Sequence, residues 1–176
     1  MFGNVSQLGF VSHDADRSMQ YFVDKWGIGP WFVSRTTIPT HYKDLESVLD
    51  LTIAMSHSGD LQFEIVQQHN DAPSIYRDAM QDAAGLHVQH VAVWTDRFAD
   101  IKANALARGW ITVLETAPGP NESCYVLHPS EPKVCIEISD KSPGKTAMRD
   151  KIREIARTWD GSDPIRDSAS LWSSPS

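Results

Sequence analysis

The chain has 176 residues, 41% of them apolar, with a formal net charge of −7. That length builds one substantial domain, or two small and closely packed modules, with a sizeable core. The acidic balance has no Lys/Arg stripe and no apolar run long enough to span a bilayer, so neither nucleic acid nor membrane is expected as a partner.

Residues 5–12 read as a strand, followed by Asp14 and Asp16 as candidate helix caps. Met19, Phe22, Val23 and Trp26 recur at i, i+3, i+4 and i+7 as one apolar stripe, and Gly27 is the natural stop. Extended stretches follow at about 31–39, 47–56 and 61–67, the last after the turn signal Ser58-Gly59-Asp60. A loop carrying Asp71-Ala72-Pro73-Ser74 and a short helix to about Asp82 lead into a second round. Residues 88–94 are again a strand, Asp96 can cap a helix with Phe98, Ile101 and Ala105 on its face, and Gly109 ends it. Strands at 111–115, 123–127 and 134–139 complete the round.

The order β-α-β-β-β therefore occurs twice, the mark of an internal duplication. The expected class is α+β: a first βαβββ module over 1–70, a connecting loop and short helix over 71–85, and a second βαβββ module over 86–140. Residues 141–176 add a C-terminal helix, with Met148, Ile152, Ile155 and Trp159 on one face, and then a disordered tail. The start, Met1-Phe2-Gly3-Asn4, lacks the basic and apolar segments of a secretion signal, so a cytoplasmic location is expected. Cys124 and Cys135 stand in no CxxC pattern and are read as free thiols that can face each other across a hairpin.

Side chains alternate along a strand, so Leu8 and Phe10 share one face while Gln7, Gly9 and Val11 share the other. In the same way Phe63/Ile65, Val91/Val93 and Val134/Ile136/Ile138 make faces fit to lie under helices, leaving Glu64, His90 and Glu137 on the opposite sides. Gln7 and His90 hold equivalent points of the two first strands, and Glu64 and Glu137 of the two last. A lone Glu or His on a strand is usually solvated or structural; four at repeat-related positions are a candidate site. One amide, two carboxylates and one imidazole suit a divalent ion such as Zn, Ni, Co, Mn or Fe. His13, His41, His57, His69, His87 and His128 are assigned no role, and His87, an odd number of residues from His90, is expected on the other strand face. Trp26, Trp31 and Trp94 read as core, with Trp94 also a candidate for the pocket mouth. Tyr125 can reach a cavity, and Tyr76 and Arg77 can cover it.

The stretches Gln7-Leu8-Gly9-Phe10-Val11, Phe63-Glu64-Ile65-Val66, Leu86-His87-Val88-Gln89-His90-Val91 and Cys135-Ile136-Glu137-Ile138 resemble the four metal-bearing strands of the vicinal oxygen chelate superfamily. The Gln/Glu/His/Glu order is similar to the ligand set of the glyoxalase I branch. Trp26-Gly27-Ile28-Gly29-Pro30-Trp31 and Asp71-Ala72-Pro73-Ser74-Ile75-Tyr76 are more similar to the methylmalonyl-CoA epimerase branch, in which a His would stand at Gln7. The resemblance implies two tandem βαβββ modules forming an incomplete barrel around a metal cleft. Gln7, Glu64, His90 and Glu137 would bind one divalent ion, with Glu64 and Glu137 as catalytic candidates. It also implies a small-molecule substrate, homodimerisation, and a glyoxalase-like lyase, isomerase or epimerase that stabilises an enolate of a substrate with vicinal oxygens. Two rival readings are an extradiol-type dioxygenase, which needs two His and one carboxylate, and a metal-free small-molecule binding or resistance protein.

Overall fold

The computed structural model describes residues 2–81, 85–119 and 121–173. In chain order they form β1 Gln7–Val11, α1 Ala15–Trp26, β2 Trp31–Tyr42, β3 Leu45–Ser58, β4 Leu61–Gln68, α2 Ile75–Gln81, β5 His87–Thr95, α3 Phe98–Leu106, β6 Ile111–Thr116, β7 Ser123–His128, β8 Glu131–Asp140, α4 Pro143–Arg157 and β9 Ile165–Asp167. A short 3-10 helix, Ser168–Trp172, follows β9. The expected end of the connecting helix at Asp82, and the tail beyond Ser173, lie outside the described residues.

The strands run in the order β3-β4-β1-β5-β8-β7-β6-β2, and β2 pairs in turn with β3, so eight strands close into a barrel. The expected incomplete barrel is thus corrected. Closure falls to β2, which is antiparallel to β3 from Phe32 to Tyr42 and to β6 through Thr40, His41 and Tyr42. Pro39 looks like a strand end in the sequence but lies within β2. The second edge of β2 is occupied by β9 only at Trp31–Val33 and by β6 only from Thr40, and proline is tolerated where one edge is open.

Alternation sorts the side chains into an outer and an inner layer. Outside, Ala15, Met19 and Phe22 of α1 pack on Trp31, Ala54, Phe63 and Ile65. The Asp14 carboxylate accepts the Arg17 N–H at the start of this helix, and Gly27 ends it at φ 64°, in the left-handed region. Trp26, expected in the core, is the last residue of α1 and is 60% exposed, its ring edge-on to Phe22. Around the barrel, Ala105 of α3 packs on Cys124, Val126 and Ile138. Asp96 does not cap α3; the Thr95 hydroxyl accepts the Arg97 N–H at 3.0 Å. Inside lie Val11, Leu49, Leu51, Val66, Leu114, Tyr125 and Cys135. The two thiols consequently lie on opposite faces of the sheet and are both free.

The Ser142 hydroxyl caps α4, and Ile152, with Met148 and Ile155, packs on Phe32, Met55 and Leu171. Up to Ser173 the tail is ordered, contrary to expectation. The Pro164 carbonyl accepts the Trp31 N–H at 2.7 Å, β9 then lies parallel to β2, and Leu171 is buried at 1% exposure. Among the described residues no helix is long and apolar enough to cross a membrane.

Candidate functional site

β4, β1, β5 and β8 are consecutive in the barrel, and each carries one of the four residues singled out in the sequence. Their register produces two adjacent rows on the inner surface: Glu64, Gly9, His90 and Cys135, then Gln62, Gln7, Ala92 and Glu137. Small residues make the room. The imidazole of His90 lies over Gly9, where a β-carbon would stand 2.0 Å from Cε1 and 2.2 Å from Nε2. A glycine inside a strand marks such a close approach, and this was the sequence signal for it. From there Nε2 lies 3.4 Å from Oε2 of Glu64 and 3.4 Å from Oε2 of Glu137. Its partner nitrogen, Nδ1, is 2.7 Å from Oε1 of Gln89.

The structure thus brings Glu64, His90 and Glu137 together from one chain. Gln7 sits in the neighbouring row, buried, with Nε2 donating to Oε1 of Gln62 at 2.9 Å, which leaves its amide oxygen as a donor atom. Gln89 is a further residue that sequence reasoning passed over. The β1–β5 register shifts at Gly9/Phe10, so that Gly9 faces His90, Phe10 faces Val88 and Val11 faces His87, with Gln89 as the extra residue of a bulge. The bulge also resets the alternation. His87 faces inward after all, toward a second cavity of about 460 Å³ that includes Lys43, Lys133 and Cys135.

Burial alone would lower the pKa of His90, but the carboxylates of Glu137 and Glu64 beside Nε2 outweigh it and raise the value to about 9. For Glu137 burial opposes ionisation, yet His90, then Lys145 and Ser139, hold its carboxyl below the usual range. Burial pushes the phenols of Tyr76 and Tyr125 well up, so both stay protonated.

A cavity of about 390 Å³ opens onto this group. Glu64 and Glu137 line it, while His90 and Gln7 are sealed behind them. One wall is apolar, from Ile38, Leu49, Leu51 and Ile53 of the β2–β3 ribbon; the other carries Tyr76, Tyr125 and Lys145. The two phenol oxygens are 3.0 Å apart, and the Tyr125 ring stands edge-on to His90 at 5.3 Å. Arg77 does not cover the cavity, because its guanidinium pairs with Asp71 at 2.6 Å on the surface. Trp94 lies beneath Lys145 and Arg149. Lys145 went unnoticed in the sequence, although it stands three and seven residues before Met148 and Ile152 on the same helix stripe.

Among the described residues no three His, Cys, Asp or Glu side chains form a ready-made cation cage; His90 meets the two glutamates separately. The donor set nevertheless fits a divalent ion. Nε2 of His90 is buried with no hydrogen-bond partner. Without a metal the raised pKa keeps a proton on Nε2 between the two carboxylates; a divalent ion would take that proton's place, with Nδ1–H directed at Gln89 as the outer hydrogen bond that orients a ligating imidazole. Ligand bonds of about 2.0–2.1 Å at tetrahedral angles separate donor atoms by roughly 3.3 Å, close to the 3.4 Å seen on both sides of Nε2.

Residues 6–128 match the Glyoxalase/Bleomycin resistance protein/Dioxygenase superfamily. No curated protein matches the chain. Among solved structures, methylmalonyl-CoA epimerase from Mycobacterium tuberculosis is similar with a TM-score of 0.54 and 16% identity, over 81% of this chain and 91% of that one. A variant of the Streptomyces coelicolor methylmalonyl-CoA epimerase in complex with 2-nitronate-propionyl-CoA gives 0.53 and 16%, over 80% and 94%. A hypothetical protein from Bacillus halodurans gives 0.52 and 12%, over 79% and 94%. At these identities the likeness is one of fold. Glu137 and all of α4 lie beyond the matched residues.

Proposed function

Given that the chain belongs to the Glyoxalase/Bleomycin resistance protein/Dioxygenase superfamily, we propose that it is a divalent-metal-dependent lyase, isomerase or epimerase moving a proton beside a carbonyl of a small substrate with vicinal oxygens. The observation that carries this reading is the convergence of two carboxylates on one buried imidazole nitrogen, 3.4 Å from each, at the floor of a half-apolar cavity. A divalent ion held by Glu64, His90 and Glu137, with the Gln7 amide oxygen, would supply Lewis-acid stabilisation of the enolate.

The rest is assigned to the chain's own side chains. Glu64 and Glu137 are the two groups at the cavity floor able to take a proton, and their placement on either side of His90 suits removal at one face of the carbon and return at another. Tyr76 and Tyr125, kept protonated by burial, are donors for an oxygen that gains charge during the reaction. The apolar wall seats the substrate body and keeps water from the carbanionic carbon. A single histidine beside two carboxylates speaks against extradiol oxygen chemistry, which takes two histidines and one carboxylate. The fold likeness to methylmalonyl-CoA epimerases supports the epimerase form of the reading.

The test is metal content by plasma mass spectrometry in untagged protein beside a Glu64→Ala/His90→Ala variant, followed by NMR of solvent deuterium entering 2-oxo thiohemiacetals and acyl-CoA epimers. About one first-row ion per chain, lost in the variant, with deuterium exchange in the wild type, is expected. Metal-free wild type after reconstitution, with no exchange, would move the protein to the binding class.

A further inference from the structure

α4 lies outside the residues that match the superfamily, yet it places Lys145 in the cavity. Lys145 stands in the first turn of the helix, where backbone N–H groups already carry partial positive charge and no acidic residue offsets it. Its ammonium donates to Ser139 Oγ and, at 3.4 Å, to the Asn121 carbonyl, and passes 5.7 Å from the centre of the Trp94 ring. Lys43 and Lys102 each meet a carboxylate. Among the described residues, Lys145 has only neutral oxygens as partners. It makes no salt bridge, and Glu137, the carboxylate it acts on through space, is one that a divalent ion would engage, so an ammonium held in one orientation at the edge of the cavity is left for a ligand's negative charge.

We propose that Lys145 is a substrate-binding residue that makes the cavity selective for molecules carrying a carboxylate close to the enolisable carbon. With Glu64 and Glu137 offsetting a divalent ion, Lys145 would be the uncompensated charge among the described residues of the cavity wall. Ser139, its hydroxyl partner, is on the same strand and the same inner face as Glu137, so a carboxylate held by Lys145 lies beside the carbon that Glu137 faces. The apolar wall of β2 and β3 then receives the uncharged part of the substrate. The inference rests on this cavity being the substrate site.

The test uses two probes on the metal-replete protein, malonate as the carboxylate and acetohydroxamate as an uncharged chelator with vicinal oxygens, by calorimetry on wild type, Lys145→Met and Lys145→Arg. Malonate should bind the wild type and weaken about tenfold or more in Lys145→Met, with much of the affinity kept in Lys145→Arg, while acetohydroxamate binds all three alike. An unaltered melting temperature in Lys145→Met establishes that the fold is intact. Malonate binding that ignores the substitution, or that is absent from the wild type, overturns the proposal. Lys145-dependent malonate binding without any acetohydroxamate binding would uphold the carboxylate subsite and sink the chelate reading instead.

Discussion

Two histidines are almost sealed from solvent in the same barrel, and their surroundings drive them in opposite directions. His57 lies under α4, 4% exposed, at the end of the row that continues through Gln62, Gln7, Ala92 and Glu137. Burial, then Arg149, push its pKa down to about 4, with the Gly59 backbone and Asp150 opposing. His90, 1% exposed and one row away, is pushed up to about 9 by Glu137 and Glu64 despite the same burial. Burial therefore does not decide the state of a histidine; the charge within reach does. The cationic region belongs to the C-terminal helix and the anionic one to the strands, so the cavity between them has a polarity that neither module possesses alone.

The largest effect expected from disturbing the anionic region is on chemistry. Glu137→Gln keeps the shape but removes both a proton acceptor and the principal partner of His90. Proton exchange at the substrate carbon should fall by about a hundredfold or more while the protein still unfolds in one cooperative transition, at a somewhat lower temperature. A rate within a few-fold of wild type would exclude Glu137 as base and as essential ligand. Glu64→Gln is its mirror, and the deeper loss of the two identifies the base.

Next comes Gly9→Ala. The added carbon has no space beside the His90 ring, so the ring must swing away from the two carboxylates. Overpacking of this kind costs about 2–3 kcal/mol, and bound metal should be lost with it. Ala92→Gly, in the neighbouring row, is the control and should cost only about 1 kcal/mol without loss of metal. Urea denaturation with metal analysis reads both, and equal effects would deny that the close approach at Gly9 matters.

The pH profile separates the two histidines directly. In metal-free protein His90 has a folded pKa of about 9, above its unfolded value near 6.5. Its contribution is complete below 6.5 and is lost as pH rises through 9. His57, folded at about 4, has the opposite sign: stability falls as pH drops from 6.5 toward 4 and the unfolded chain takes up the proton first. Urea midpoints should therefore peak near pH 6.5, and a bound divalent ion should flatten the alkaline limb, since a ligating imidazole is neutral. A profile that keeps rising from pH 7 to 9 would contradict the ion-paired His90.

The smallest effect is that of Arg149→Met. It removes a positive charge that disfavours protonation of His57, so the His57 resonance should titrate at a higher pH yet still below that of an exposed histidine, because burial is the larger influence. A titration point that does not move would assign the whole depression to burial.

Much of this arrangement was open to reading in the chain itself. Local alternation placed Gln7, Glu64, His90 and Glu137 on the faces away from the helix-packing residues, and the eight barrel strands fall within a few residues of their expected limits. Such features depend only on the two-residue period of a strand and on turn chemistry, both of which are local. His87 shows where the period stops helping: one extra residue, Gln89, reverses the parity on one side of it, and a bulge is a property of two strands together.

What the sequence by itself determined is the repeated strand and helix order, the inward position of four metal-competent side chains and the apolar faces that cover them. The tertiary structure alone decided that β2 closes the barrel on β6, that β9 extends the sheet, that Gly9 yields its space to an imidazole, and that Lys145 of α4 looks into the cavity. The physical reason is range. Propensity and alternation act over a few residues, whereas closure, close approach and the pairing of charges depend on which distant segments become neighbours, and that is settled only when the whole core packs.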